Sequence, residues 1–384
     1  MIPRRATAVV PSFASETVSR RAPSSGGAAF FRHMTGVRSL SPGAVLAGMA
    51  AFLVGLAVPS ASAAVDVAVA NRPPARATPT GLQIGGVSYV DARPWFARLG
   101  YKADFDPDRK TLTLTSSAGR IVLKGDSREA TLHGLRVFLG DAVVVRKTTL
   151  YVSDIDLERF VAPILRPAQL PARPLRTIVL DPGHGGSDTG TRNKTAKLDE
   201  KVFTLDVAKR LERLLAGSGW RVILTRGDDR FIPLPERAEI ANKAGADLFV
   251  SIHFNAVANN PAVKGTETYV LTPRFQRSTS SSSSSAEDKI EQTGNRHDKW
   301  SAVLGAHMHR ELLGKLKSED RGYKRARFAV LRLVDCPAVL VEAGYLSNDA
   351  EARKLATEAY RADIAEALAA GIHAYAAALA SASK

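Results

Sequence analysis

Thr177-Ile-Val-Leu-Asp-Pro-Gly-His-Gly-Gly186 is an apolar run of strand type that stops in a glycine-rich turn carrying one histidine, His184. Asp247-Leu-Phe-Val-Ser-Ile-His-Phe-Asn-Ala256 repeats the pattern with His253, and Pro337-Ala-Val-Leu-Val-Glu-Ala-Gly344 repeats it again with Glu342. Continuous apolar runs of this kind suit strands covered on both faces. In an open parallel α/β sheet the carboxyl ends of the strands share one edge, where ligands gather. His184, His253 and Glu342 are therefore expected to meet at that edge.

Working outward, Glu200 opens a helical pattern that runs to Leu215, with Phe203, Val207, Leu211 and Leu214 as its core-facing stripe. An acidic side chain at a helix start is also what the helix dipole favours, a role that Asp199 can fill instead. Two histidines and one glutamate form the ligand set of several catalytic zinc sites, which leave a fourth position to water. Glu342 is then the spare carboxylate. Asp181 and Asp188 read as loop-organising groups or as partners that orient a ligand imidazole. His307 and His309 stand two apart on a helical pattern, cannot face one metal together, and are expected at the surface.

Strand patterns at 176–181, 221–225, 247–253, 266–271 and 338–342 alternate with helical patterns at 200–215, 234–244, 300–316 and 350–380. This alternation predicts an α/β fold for residues 176–384, a mainly parallel sheet with helices on both faces. The serine run Ser278 to Ser285 interrupts the order and reads as a mobile loop. Residues 81–165 carry short alternating segments and one helix around Arg93 to Leu99, which predicts a small α+β domain. Between the two, residues 166–175 fall in a stretch with four prolines in twelve positions, Pro163 to Pro174, the composition of a semi-rigid spacer with few obligatory contacts across it.

Four ordered motifs carry a family resemblance: Asp181-Pro-Gly-His-Gly-Gly186, Glu200-Lys201, Ser251-Ile-His-Phe-Asn-Ala256, and Pro337 through Asn348. In order and spacing they resemble the zinc-dependent N-acetylmuramoyl-L-alanine amidases of bacterial cell-wall turnover. Leu224-Thr-Arg226, Leu234 to Arg237, Ala241-Asn242 and Arg325 to Arg332 fit the same likeness, which covers roughly residues 175–380. The resemblance implies His184, Glu200 and His253 as ligands of Zn2+ and Glu342 as the catalytic carboxylate. It implies cleavage of the amide between N-acetylmuramic acid and L-alanine in peptidoglycan, in wall remodelling or daughter-cell separation. Phe254 and Tyr345 stand where a small residue and a phenylalanine are common.

Some members of that family carry a segment that covers the zinc cleft until an activator protein removes it. Thr272 to Lys299 stands at that place and offers Glu287 and Glu291, although its shortness and serine run favour a passive loop. A zinc carboxypeptidase acting on stem peptides, or an inactive peptidoglycan-binding protein, is the alternative function. Tyr89 to Gly100 and Asp104 to Leu112 resemble the small N-terminal domain type of copper amine oxidases, here a wall-targeting module; His133 stands alone and has no copper ligand set around it.

A chain of 384 residues with 45% hydrophobic and 24% charged residues is long enough for two domains and globular in composition. One cysteine, Cys336, excludes an intramolecular disulfide and reads as a small core residue. Residues 1–63 read as a signal region: basic residues, the apolar run Ala44 to Val58, then Ala61-Ser-Ala63. Residues 64–80 read as a flexible lead-in. The chain is thus expected to be exported, periplasmic or secreted, and to meet the membrane only in transit. The net charge is +15; six Arg against one Glu in residues 1–63 leave +10 on the remainder. The positive residues are dispersed and no nucleic-acid motif accompanies them, which favours an anionic wall or membrane surface over nucleic acid as the partner.

Overall fold

The computed structural model describes residues 81–380, so the signal-type sequence and the lead-in lie outside the described residues. The apolar runs are strands: Thr177–Pro182, Leu248–Asn255 and Ala338–Tyr345, each buried along its whole length. Their residues alternate between two cores. Ile178, Leu180, Leu248 and Val250 pack with the helices Glu200–Leu215, Asp298–Leu316 and Glu358–Ala380. Val179, Phe249 and Leu340 pack with Leu234–Lys243 and Ala329–Leu333 on the other side. Helices therefore cover both faces, and an uninterrupted apolar run is what such a strand needs.

The expected mainly parallel sheet is corrected to a mixed one. Arg221–Leu224, Thr177–Pro182, Leu248–Asn255 and Ala338–Tyr345 are adjacent and parallel, but Thr266–Leu271 runs antiparallel to Ala338–Tyr345. The cause is local. A parallel return needs a long crossover, usually a helix, and the segment joining Leu248–Asn255 to Thr266–Leu271 has no helix. Thr266–Leu271 and Asp320–Ala326 are parallel to each other, with the long Asp298–Leu316 helix in the connection.

The sheet then continues into the N-terminal module. Asp320–Ala326 pairs with Leu135–Phe138 at Tyr323 and Val137, and an antiparallel meander carries the sheet to Lys102–Asp106, eleven strands in all. A second, four-stranded antiparallel sheet of residues 81–153 completes the module.

This continuity overturns the expectation of few contacts across the proline-rich stretch. Arg325, fully buried, donates to Asp156 Oδ1 at 2.5 Å and Phe138 O at 3.0 Å on the N-terminal side, and to Gln276 Oε1 at 2.8 Å. Leu157, Phe160 and Val161 share one hydrophobic core with Leu304, Met308 and Tyr323. The stretch itself packs down, with Trp300 Nε1 donating to Pro171 O and the Arg173 guanidinium over the Trp300 ring.

Smaller departures have equally local causes. Leu215 takes the inward place expected of Leu214, which is 45% exposed, because the buried stripe keeps a strict four-residue step from Phe203. The 350–380 pattern is two helices, Asp349–Leu355 and Glu358–Ala380; the Thr357 hydroxyl bonds Lys354 O and accepts from Tyr360 N at the break. His309 is core rather than surface, held between Thr268 Oγ1 and Asp320 Oδ1. His307 is partly covered, and burial pushes its imidazole down to about 4. Cys336 is buried in the second core. Among the described residues no helix is long and apolar enough to cross a membrane.

Because the two modules share a core, removal of residues 78–165 should leave a chain that no longer unfolds cooperatively. Asp156→Ala should cost about 3–5 kcal/mol by stranding the Arg325 guanidinium. Urea unfolding followed by circular dichroism measures both, and a deletion chain with an intact transition would contradict the shared core.

Candidate metal centre

The turn after Thr177–Pro182 puts His184 in the left-handed region, φ 62°, which non-glycine residues adopt at a cost. Two buried arginines hold it there. Arg237 donates to Pro182 O at 2.8 Å and His184 O at 2.7 Å, and Arg226 donates to Pro182 O at 3.0 Å and Gly183 O at 2.8 Å. Lys201 Nζ takes Gly186 O at 2.8 Å. Arg237 is neutralised by Asp181 at 2.8 Å, which also accepts from Thr225 Oγ1 and Ser251 Oγ. Burial works to raise the Asp181 carboxyl, but Arg237 and Thr225 hold it below the usual carboxylate range. Asp181 thus organises the loop. Asp188 orients an imidazole: its Oδ2 lies 2.8 Å from His184 Nδ1.

Glu200 enters from the first turn of its helix. Its Oε2 accepts from Thr191 N at 2.8 Å, and its Oε1 accepts from Phe254 N at 2.9 Å and lies 3.0 Å from His253 Nδ1 and 3.2 Å from His184 Nε2. The rings of His184 and His253 meet edge to face at 4.9 Å. One ligand atom from each of His184, Glu200 and His253 falls within 4.8 Å of the others. Glycine is required around them by space: a Cβ on Gly183 would lie 2.1 Å from His253 Cε1, and one on Gly190 2.6 Å from His184 Cδ2.

The group fits a metal ion. His184 Nε2 is buried and makes no hydrogen bond, while Asp188 occupies the other ring nitrogen. Burial opposes a charge on His184, yet Glu200 and Asp188 bring its imidazole up to about 9. The two histidines in turn hold the Glu200 carboxyl far below its ordinary range against burial. A site with that appetite for positive charge, made of imidazole and carboxylate, suits a divalent cation.

Glu342 stands beside the group. It is in register with His253 on the adjacent parallel strand and with Glu267 on the antiparallel one, so the three side chains form a row across the sheet. Glu342 is buried, its Oε2 has no partner, and burial, Glu200 and Glu267 all raise its proton affinity well above that of an ordinary glutamate. Glu287 and Glu291 lie elsewhere, facing Arg332 and Arg274, outside the ligand group. The start of the serine run is bound by a side chain of the N-terminal module. Arg128 donates to the carbonyls of Arg277, Ser278, Thr279 and Ser281, and Ser285 caps the short helix Ala286–Lys289.

The sequence reading missed the loop-holding roles of Arg226 and Arg237 and the whole environment of Glu267. For the last, the sequence shows only that Glu267 interrupts a strand pattern; the parallel sheet expected there would have put it at the edge opposite Glu342.

A family model described as N-acetylmuramoyl-L-alanine amidase matches residues 178–374, and one described as copper amine oxidase N-terminal domain matches residues 70–165. The N-acetylmuramoyl-L-alanine amidase AmiA of Escherichia coli (strain K12) is 35% identical over 227 residues, 52% of this chain and 76% of that protein. The N-acetylmuramoyl-L-alanine amidase AmiC of Neisseria meningitidis serogroup B is 36% identical over 224 residues, 52% of each chain. Among solved structures, the catalytic domain of CwlV, an N-acetylmuramoyl-L-alanine amidase from Bacillus (Paenibacillus) polymyxa var. colistinus, aligns at 32% identity and TM-score 0.44 over 52% of this chain and 98% of that one.

Asp188→Asn should weaken metal affinity by about 10–100-fold while leaving the fold intact, since the carboxylate acts on the ring through Nδ1. Competition with a chromophoric chelator reads the affinity; an unchanged value would remove Asp188 from the site.

Proposed function

The chain belongs to the N-acetylmuramoyl-L-alanine amidase family, and from that premise we propose that it is a zinc hydrolase whose ligands are His184, Glu200 and His253 and whose proton carrier is Glu342. The amide that such an enzyme cleaves joins the lactyl group of N-acetylmuramic acid to the L-alanine of the stem peptide in peptidoglycan. The observation that carries the assignment of roles is the pairing of three ligand atoms within 4.8 Å with a buried carboxylate, Glu342, that has an unpartnered oxygen in the adjacent register position.

Bound zinc supplies an acidified water, with a pKa near roughly 7, and a positive charge for the developing oxyanion. The chain's own residues do the rest. Asp188 holds His184 by Nδ1 and leaves Nε2 turned toward Glu200 and His253. Glu200 is fixed by two backbone amides and so keeps its geometry without a mobile counter-ion. Glu342, kept protonatable by burial, accepts the proton of the attacking water at its free oxygen and returns it to the departing amide nitrogen.

Residues 1–63 are proposed to export the chain to the envelope, supported by the apolar run and the Ala61-Ser-Ala63 sequence. Residues 81–165 are proposed as the wall-contacting module, supported by the family match at 70–165.

Mass analysis of muropeptides after digestion tests the reaction. Free stem peptide and an unmasked lactyl carboxylate are expected; loss of a terminal amino acid alone would make the enzyme a carboxypeptidase, and no turnover would make the chain a binding protein. His184→Ala and His253→Ala should abolish both metal retention and activity. Glu342→Ala should keep stoichiometric metal and lose roughly 10²-fold or more in turnover. Metal loss in that variant would overturn the division of roles.

A further inference from the structure

Two glutamates face each other across adjacent strands at the site, and their surroundings are opposite. Glu342 has an oxygen with no partner, whereas Glu267 collects five donors. Tyr345 Oη donates to its Oε1 at 2.7 Å, and the Lys324 ammonium binds the same oxygen. Tyr269 Oη at 2.5 Å and Asn255 Nδ2 at 3.0 Å donate to Oε2, and Arg321 Nε lies 3.4 Å from Oε1.

The cation matters most. Directly opposed residues on antiparallel strands have Cβ atoms about 4.5–5.5 Å apart, so the ammonium seated on Glu267 sits on the residue that faces Glu342. Lys324 is close enough to oppose the rise in Glu342's proton affinity, though burial and the two neighbouring carboxylates prevail. Its side chain is largely covered and rests above the rings of Phe138 and Tyr269. A largely covered ammonium is costly to leave without a carboxylate partner. With Glu267 charged it has one; with Glu267 neutral, the facing Glu342 across the strand pair is a carboxyl that already feels this ammonium.

We propose that Glu267 is a positioning residue for the hydrolysis, holding the Lys324 ammonium so that Glu342 stays free of a cation and able to carry the proton. This rests on the assignment of Glu342 as proton carrier. It explains why two acidic residues sit directly opposed in a sheet, an arrangement that is otherwise destabilising.

The test is a rescue experiment in the full chain loaded with zinc. Glu267→Gln keeps the volume and removes the charge; kcat should fall by roughly 10²-fold with KM little changed, as expected when the proton carrier is engaged and binding is not. Lys324→Met alone should remain within about tenfold of the unaltered enzyme, and Glu267→Gln with Lys324→Met should recover at least about tenfold over Glu267→Gln. Metal content and thermal unfolding are measured alongside. A double variant no better than Glu267→Gln, a fully active Glu267→Gln, or a Lys324→Met chain as impaired as Glu267→Gln would overturn the proposal. So would a double variant that cannot fold, since the carboxylate would then serve the fold alone. Full activity of Glu342→Ala would instead sink the underlying assignment, whatever Glu267 does.

Discussion

The buried pair of Arg237 and Asp181 is the constraint on which the site depends. Asp181 lies in the sheet and Arg237 in a helix on one of its faces, and the guanidinium bridges the carboxylate to the carbonyls of Pro182 and His184. A left-handed histidine costs of order 1–3 kcal/mol and persists only when its surroundings over-determine it. Here four donors from two arginines settle on three consecutive carbonyls and hold the backbone in this course. The conformation turns the imidazole back over Gly190 and Glu200, into the space that the missing Cβ atoms leave open. Breaking such a pair from one side strands a charge in the core, and the candidate metal site would be lost with the loop.

The mixed character of the sheet has a consequence for chemistry. Were Thr266–Leu271 parallel to its neighbour, its amino end would lie at the far edge, away from the ligands. Running antiparallel, it delivers Glu267 from its first turn of strand to the carboxyl edge of Ala338–Tyr345, next to Glu342. Asp320–Ala326, parallel to it, brings Arg321 and Lys324 to the same place. One reversal of direction therefore adds a cationic bank to an edge that otherwise carries histidines and carboxylates.

Much of this was legible in the sequence, for a physical reason. Strands buried on both faces must be apolar throughout, so Thr177–Pro182, Leu248–Asn255 and Ala338–Tyr345 announce themselves, and an ionisable residue at the end of each is conspicuous. The Glu200–Leu215 helix is equally plain because its period is regular. Asp320–Ala326 was not legible, since Asp320, Arg321, Lys324 and Arg325 disguise a strand whose charges are all paired in the fold. His309 misled for the same reason: a polar side chain reads as surface until its partners, Thr268 and Asp320, are known. The proline-rich stretch misled because prolines that favour an extended spacer also suit an extended segment packed on Trp300, and composition does not separate the two.

Those hidden charges also decide how the N-terminal module bears on the enzyme. Neighbouring residues of a strand point to opposite faces. Lys324 accordingly reaches Glu267 at the active edge, while Arg325 reaches Asp156 and Phe138 O in the module. The strand is thus fastened on one side to the row that contains Glu342 and on the other to the module's core. Arg325 also holds Gln276, whose side chain fills the space a Cβ on Gly140 would need. Phe138, in the module, also lies under the Lys324 ammonium, so the charges that hid this strand in the sequence are the ones that tie the module to the row containing Glu342.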